Sequence, residues 1–260
     1  MTSLKSLILA DFYSYILVTA RLGGLLFFSP GFSEPTIPRS VKALVVLALG
    51  TALTPFIITK GVTMPHTGLE SAWLLVVEAL IGYTAALVVR FLFSALDLTG
   101  SLIGYQIGLA NAFAMSPASA QQSALPGVFL GTAAILFMIL LDMHHMIIQA
   151  LVHSYQALPL GGAGLSFFAE RGAGLLLEAA TTSITLGLQM AGPVLITILF
   201  FFAGAGLANR LAPAIQIFFV SQPLQILLGF FIMALTLPAL LTLFSQALPE
   251  SLAAFFAFLY

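Results

Sequence analysis

The chain has 260 residues, 60% hydrophobic and 7% charged, with a mean hydropathy of +1.12 and a formal net charge of −1. Soluble domains use about a quarter charged residues to cover their surface, so this composition excludes a chain that covers itself in water, and the charge offers nothing to nucleic acid. Without cysteine it can form no disulfide, thiol nucleophile or thiolate metal site.

A membrane-spanning helix needs roughly 20 mostly apolar residues, and that length divides the chain. Residues 1–11 hold Lys5 but no long apolar core before a small-residue cleavage site, so the first span is expected to act as its own insertion signal. That span, 12–28, contains Arg21 and stops at Ser29-Pro30-Gly31. A link with Glu34, Pro35, Pro38, Arg39 and Lys42 leads to a cleanly apolar segment, 43–58, closed by Lys60-Gly61. A third segment begins near Leu69, runs past Phe93 and carries Glu70, Glu78, Arg90 and Asp97. From 98 to 141 no residue is charged, although this is about twice the length of one span. The break is expected in the small, polar, uncharged run 114–123, ending at Pro126-Gly127. A fourth span, 129–151, carries Asp142, His144 and His145 and leads to a glycine-rich turn at 159–164. A fifth, 175–202, is expected to end at Gly204, Gly206, Asn209, Arg210 and Pro213. The last stretch, 214–248, contains Pro223 and Pro238 and predicts a kinked helix or a tight helical hairpin.

The fold class expected is therefore an all-α membrane protein with about six apolar helical segments and no soluble domain; the alternation of a membrane barrel is missing. Lys5, Lys60 and Arg171 fall on one side and Arg39, Lys42 and Arg210 on the other, so the positive-inside rule assigns no orientation.

Gly100, Gly104 and Gly108 recur every four residues, and Gly127 and Gly131 repeat the spacing after the polar run. Such stripes allow close helix packing, within the chain or on a partner. Irregular backbone at membrane depth must be held in protein or line a cavity, so the run between the stripes reads either as an ordinary external loop or as a movable stopper. Its Phe113 and Met115 supply adaptable bulk, beside Pro117 and the amides Gln121 and Gln122. Arg90 and Asp97 share a helix face, with Glu78 a few turns earlier; these charges predict pairing with each other or with a neighbouring subunit, with a proton relay as the alternative. Asp142 and His145 share a face while His144 is expected to point elsewhere, which leaves a metal site short of ligands. Gly161-Gly162-Ala163-Gly164 lacks the Lys and Ser/Thr of a phosphate loop, and no nucleotide, hydrolase or metalloprotease motif occurs. No catalytic, cofactor-binding or metal-ligating residue is assigned.

The order of these features resembles the FliR family of flagellar and type III export proteins. The centre reads Gly104-x-Gln106-x-Gly108, then a polar loop with Met115, Pro117, Gln121 and Gln122, then His144-His145, then a Ser154-Tyr155-x-x-Leu158-Pro159-x-Gly161 turn. Arg21, Pro30, Ile37-Pro38-Arg39-x-x-Lys42, Glu78 and Gly82 fit the N-terminal pattern; Pro193, 206–213, Phe218 and Pro223 fit the C-terminal one. Gln216, Gln222 and Gln225 depart from it.

The resemblance implies one export-gate domain over 1–260, with a FliP-like part at about 1–170, a FliQ-like hairpin at about 171–260, and bent hairpins stacked in a cone with FliP and FliQ. FlhB and FlhA are the further partners implied, flagellar proteins the cargo, and the inner membrane and flagellar basal body the location. It also implies that 108–127 plugs the closed pore, with Phe113–Gln122 at its centre; Glu78, Arg90, Asp97 and Arg210 are read, from their place in or beside apolar segments, as charges that fix assembly. A virulence secretion counterpart, a small-solute secondary transporter and a membrane enzyme using Asp142 and the His pair are the alternatives.

Overall fold

The computed structural model describes residues 2–57, 67–109, 125–161, 172–211 and 217–259. Among these, every element is a helix: α1 Thr2–Phe28, α2 Arg39–Ile57, α3 Gly68–Gln106, α4 Leu125–Leu140, α5 Met143–Ala157, α6 Ala173–Leu211 and α7 Ile217–Leu259. Four helices are long and apolar enough to cross a membrane, five if the broken pair α4 and α5 is one span. The chain is an all-α membrane protein, as composition requires.

Of the two alternatives for the last apolar stretch, one helix or a hairpin, the structure has one 43-residue helix. Proline removes one ladder bond and bends a helix, but in apolar surroundings the remaining carbonyls have no water to exchange with, so the helix continues. The fifth segment likewise runs past Gly204 and Gly206 to Leu211. In contrast, the fourth segment breaks at Leu141 and Asp142 without any Pro or Gly, because Asp142 adopts the left-handed conformation (φ 54°) ahead of α5.

The chain divides into two compact units, and α3, α6 and α7 each contribute to both. The first comprises Met1–Phe91, Leu141–Ala180 and Leu248–Tyr260. Here α1 packs closely on α2 and α3. Gly50 admits Tyr15 and Thr19 of α1, and Gly24 and Gly82 bring the α1 and α3 backbones together, where an added Cβ would strike Ala79 O and Arg21 O. The start of α3 is a capping box: the Glu70 N–H donates to Thr67 Oγ1 (3.2 Å) and the Thr67 N–H to Glu70 Oε2 (3.3 Å). Phe28 and Tyr83 meet edge-to-face with centroids 4.8 Å apart.

The second unit comprises Leu92–Leu140 and Thr181–Ala247. Its core gathers Ile103, Ile107 and Leu109 with Ala191, Val194, Ile198 and Met233. Polar contacts join α3 to α6 at Ser94 Oγ and Ser183 Oγ, 3.0 Å apart, and at Thr99 Oγ1, which donates to Gly187 O (3.1 Å). Gly100 lies directly on the backbone of Pro126 and Gly127, and a Cβ there would overlap α4. Overpacking of this kind costs about 1–3 kcal/mol. Gly100→Val is therefore expected to lower the thermal midpoint of the detergent-solubilised protein by several degrees, whereas Gly206→Ala, which meets nothing within 4 Å, should leave it unchanged or slightly raised.

Candidate functional site

The first unit is organised around one arginine. Arg21 is fully buried in α1 (0% exposed) and its partner Glu78, on α3, is 2% exposed. A lone charge at such a place is ruinous, so its geometry must be complete. Arg21 Nε donates to Glu78 Oε2 at 2.6 Å, Nη1 to Ser154 Oγ at 3.1 Å and Nη2 to Leu158 O at 3.0 Å. The guanidinium carbon lies 4.0 Å from the Tyr155 ring centroid, a cation–π contact. The other carboxylate oxygen, Glu78 Oε1, accepts the Gly161 N–H at 3.2 Å. Ser154 and Tyr155 in the last turn of α5, and Leu158 and Gly161 in the turn that follows it, each contribute one group to this pair. Gly161 holds φ 71°, a conformation open to glycine, as it turns its N–H to the carboxylate.

The second unit fixes both roots of the predicted plug. Residues 110–124, which contain Phe113, Met115, Pro117, Gln121 and Gln122, lie outside the described residues. On the near side α3 ends at Gln106, whose carbonyl accepts a 2.6 Å hydrogen bond from Gln225 Nε2 of α7. Gly108, expected to extend the glycine stripe, lies beyond the helix with φ 81° and ends it, its N–H reaching Tyr105 O at 3.1 Å. A Cβ there would come within 3.6 and 3.8 Å of the Gln225 and Gln222 amides. On the far side α4 begins at Leu125, inside the predicted loop, with Pro126 in the first turn, where a missing N–H does no harm. The Gly100–Gly127 contact then brings the chain back onto α3. Gly104 is buried within α3, and Gly131 faces Asp97.

Of the other charges, Arg90, Asp97 and Arg210 are exposed, while Glu78 commits both oxygens inside the chain. The Arg21 partnership and the Gln225 bond are absent from the sequence reading. An arginine alone in an apolar segment does signal a buried carboxylate, but the helical period cannot say on which helix it sits. The His pair also differs from expectation: ligand atoms of Asp142, His144 and His145 lie within 4.8 Å of one another, because the break before α5 turns all three side chains to one place. Asp142 and His145 remain largely exposed, 3.6 Å apart.

Between α1 and α3 lies an apolar groove of about 590 Å³, lined by Gly23, Gly24, Phe27, Val76, Ala79 and Tyr83 among others.

Residues 12–251 match the family described as bacterial export proteins, family 1. The chain is 31% identical over 245 residues to the flagellar biosynthetic protein FliR of Caulobacter vibrioides, covering 94% of this chain and 96% of that one. Against FliR of Escherichia coli K12 the identity is 31% over 219 residues, covering 84% and 82%; against that of Bacillus subtilis it is 25% over 226 residues, covering 84% of each.

Removing one member of a buried ion pair costs about 3–5 kcal/mol, because its partner is left charged and unmatched, whereas replacing both by apolar groups can be neutral. Arg21→Met and Glu78→Met should each lower the thermal midpoint sharply, and the double variant should recover most of the loss. Thermal unfolding in detergent measures all three.

Proposed function

The chain belongs to the FliR family of bacterial export proteins and is a subunit of the flagellar export apparatus, and from that premise we propose that it forms and plugs part of the protein-conducting channel of the export gate. Residues 108–127 act as the stopper, with Phe113, Met115, Pro117, Gln121 and Gln122 closing the path of unfolded flagellar proteins. FliP, FliQ, FlhB and FlhA are its partners in the inner membrane at the flagellar basal body. The part at about 1–170 is FliP-like and the part at about 171–260 is a FliQ-like hairpin.

One observation carries this reading. The chain is tightly fixed on both sides of the stopper, and the groove described above offers no polar solute site. The Gln225–Gln106 bond and the Gly100–Gly127 contact hold the roots of 108–127. The groove of the first unit is lined by apolar and aromatic side chains, with Tyr83 its one polar tip. A transporter site instead needs convergent polar groups to orient its solute. No catalytic role is assigned, and Gly100, Gly104 and Gly127 serve helix packing, while Gly108 ends α3.

Two measurements test the proposal. The solubilised chain should co-purify with the other gate subunits; a monodisperse chain that comes out alone would remove the channel role. Deleting residues 114–123 in the assembled complex should raise ion leakage across the membrane. Permeability equal to that of the intact complex would show that the segment is no stopper.

A further inference from the structure

Asp97 stands on α3 inside an apolar helix of mean hydropathy 2.0. It is exposed, and among the described residues it makes no hydrogen bond and no ion pair. The neighbouring surface of α4 gives it nothing. Asp97 Oδ1 is 3.9 Å from the place a Cβ would take on Gly131, and Gly127 packs on its main chain. The nearby Thr132 hydroxyl is engaged with Val128 O at 2.8 Å. The other exposed side chains along this part of α4 are Leu125, Val128, Phe129 and Leu136. An anion beside apolar side chains on a membrane-class helix is stabilised when a cation meets it.

We propose that Asp97 is the anionic half of an intersubunit ion pair: a helix of another gate subunit lies on the α3–α4 face and presents a lysine or arginine to it. The inference rests on the export-gate reading and names the chemistry of one partner. Charge complementarity selects the occupant. The apolar rim suits a largely apolar helix, and the unmatched carboxylate requires that helix to carry one cation at this depth. Gly131 of α4 puts no side chain beside the carboxylate, so a long side chain from a partner can approach it there.

The test is co-purification of the assembled complex from membranes containing the wild-type chain, Asp97→Glu, Asp97→Asn or Asp97→Lys. Wild-type and Asp97→Glu chains should bring down equal amounts of partner subunits, Asp97→Asn less, and Asp97→Lys roughly tenfold less or worse, since like charges at an interface both repel and lose their pairing. A Lys→Glu or Arg→Glu change in one partner should restore the Asp97→Lys complex. Asp97→Asn keeps size and polarity, so its loss of partner separates lost charge from failure to fold. Because the chain has no cysteine, Thr132→Cys gives a single cross-linking point on the exposed face of α4, expected to capture another subunit. Undiminished partner yield with Asp97→Lys would overturn the ion pair and leave the export-gate reading standing. So would a Thr132→Cys cross-link to a second copy of this chain, or labelling by lipid alone. A wild-type chain that purifies without partners would remove both.

Discussion

A guanidinium and a carboxylate sealed from water must satisfy every donor and lone pair locally or not exist as charges. Arg21 and Glu78 meet that demand by recruiting the end of α5 and the turn after it. The guanidinium takes the Ser154 hydroxyl, the Leu158 carbonyl and the Tyr155 ring face, and the carboxylate takes the Gly161 N–H. Three helices and a turn are thereby fixed around one ion pair in the first unit. Close glycine contacts between α1 and α3 let the pair form at 2.6 Å. Its contribution lies in uniqueness of arrangement. Leu would pack as well as Arg at position 21, but it would accept many neighbouring turns, whereas the fork of Arg21 accepts one. The cation also explains the spacing Ser-Tyr-x-x-Leu-Pro-x-Gly without appeal to chemistry on a substrate. Each spaced residue supplies one contact, and Pro159 keeps the helix from running on.

The second unit solves a different problem by different means. A polar, uncharged segment must leave and rejoin a helix bundle without stranding backbone groups in apolar surroundings. At its departure, the free carbonyl of Gln106 receives a buried amide, Gln225 (5% exposed), from α7. At its return, Pro126 occupies a helix start that has an N–H to spare, and Gly127 rests on Gly100. Neither solution uses a charge.

Much of this was readable in the residues. Helical content followed from apolar segment length, and an interruption between α3 and α4 followed from the uncharged stretch 98–141, too long for one span. The unread part has a common cause. Periodicity shows which residues share a helix face, not which helices meet, so Arg21 and Glu78 could be noted separately but not paired. Glu78 reads in sequence as a companion of Arg90. Gln225 reads as a departure from the family pattern, yet it caps α3. Breaker residues also misled in both directions. Pro223 and Pro238 do not stop α7 and Gly204 does not stop α6, because apolar surroundings favour keeping the ladder, while Asp142 ends a helical run with neither Pro nor Gly.

Helix length carries the final step. At about 1.5 Å per residue, α3 and α6, each of 39 residues, reach about 58 Å, and α7, of 43, about 65 Å. A bilayer core is only about 30 Å thick. The apolar windows of α6 and α7 are 22% and 17% buried within the chain, so most of their surface must be covered by something other than this chain. Lipid can cover about half of such a helix and no more. The remaining apolar length would face water unless other protein covers it, and water is the one environment that 7% charged residues exclude. Apolar length left over by the bilayer core is therefore for other protein to cover, which a subunit of an export apparatus has beside it.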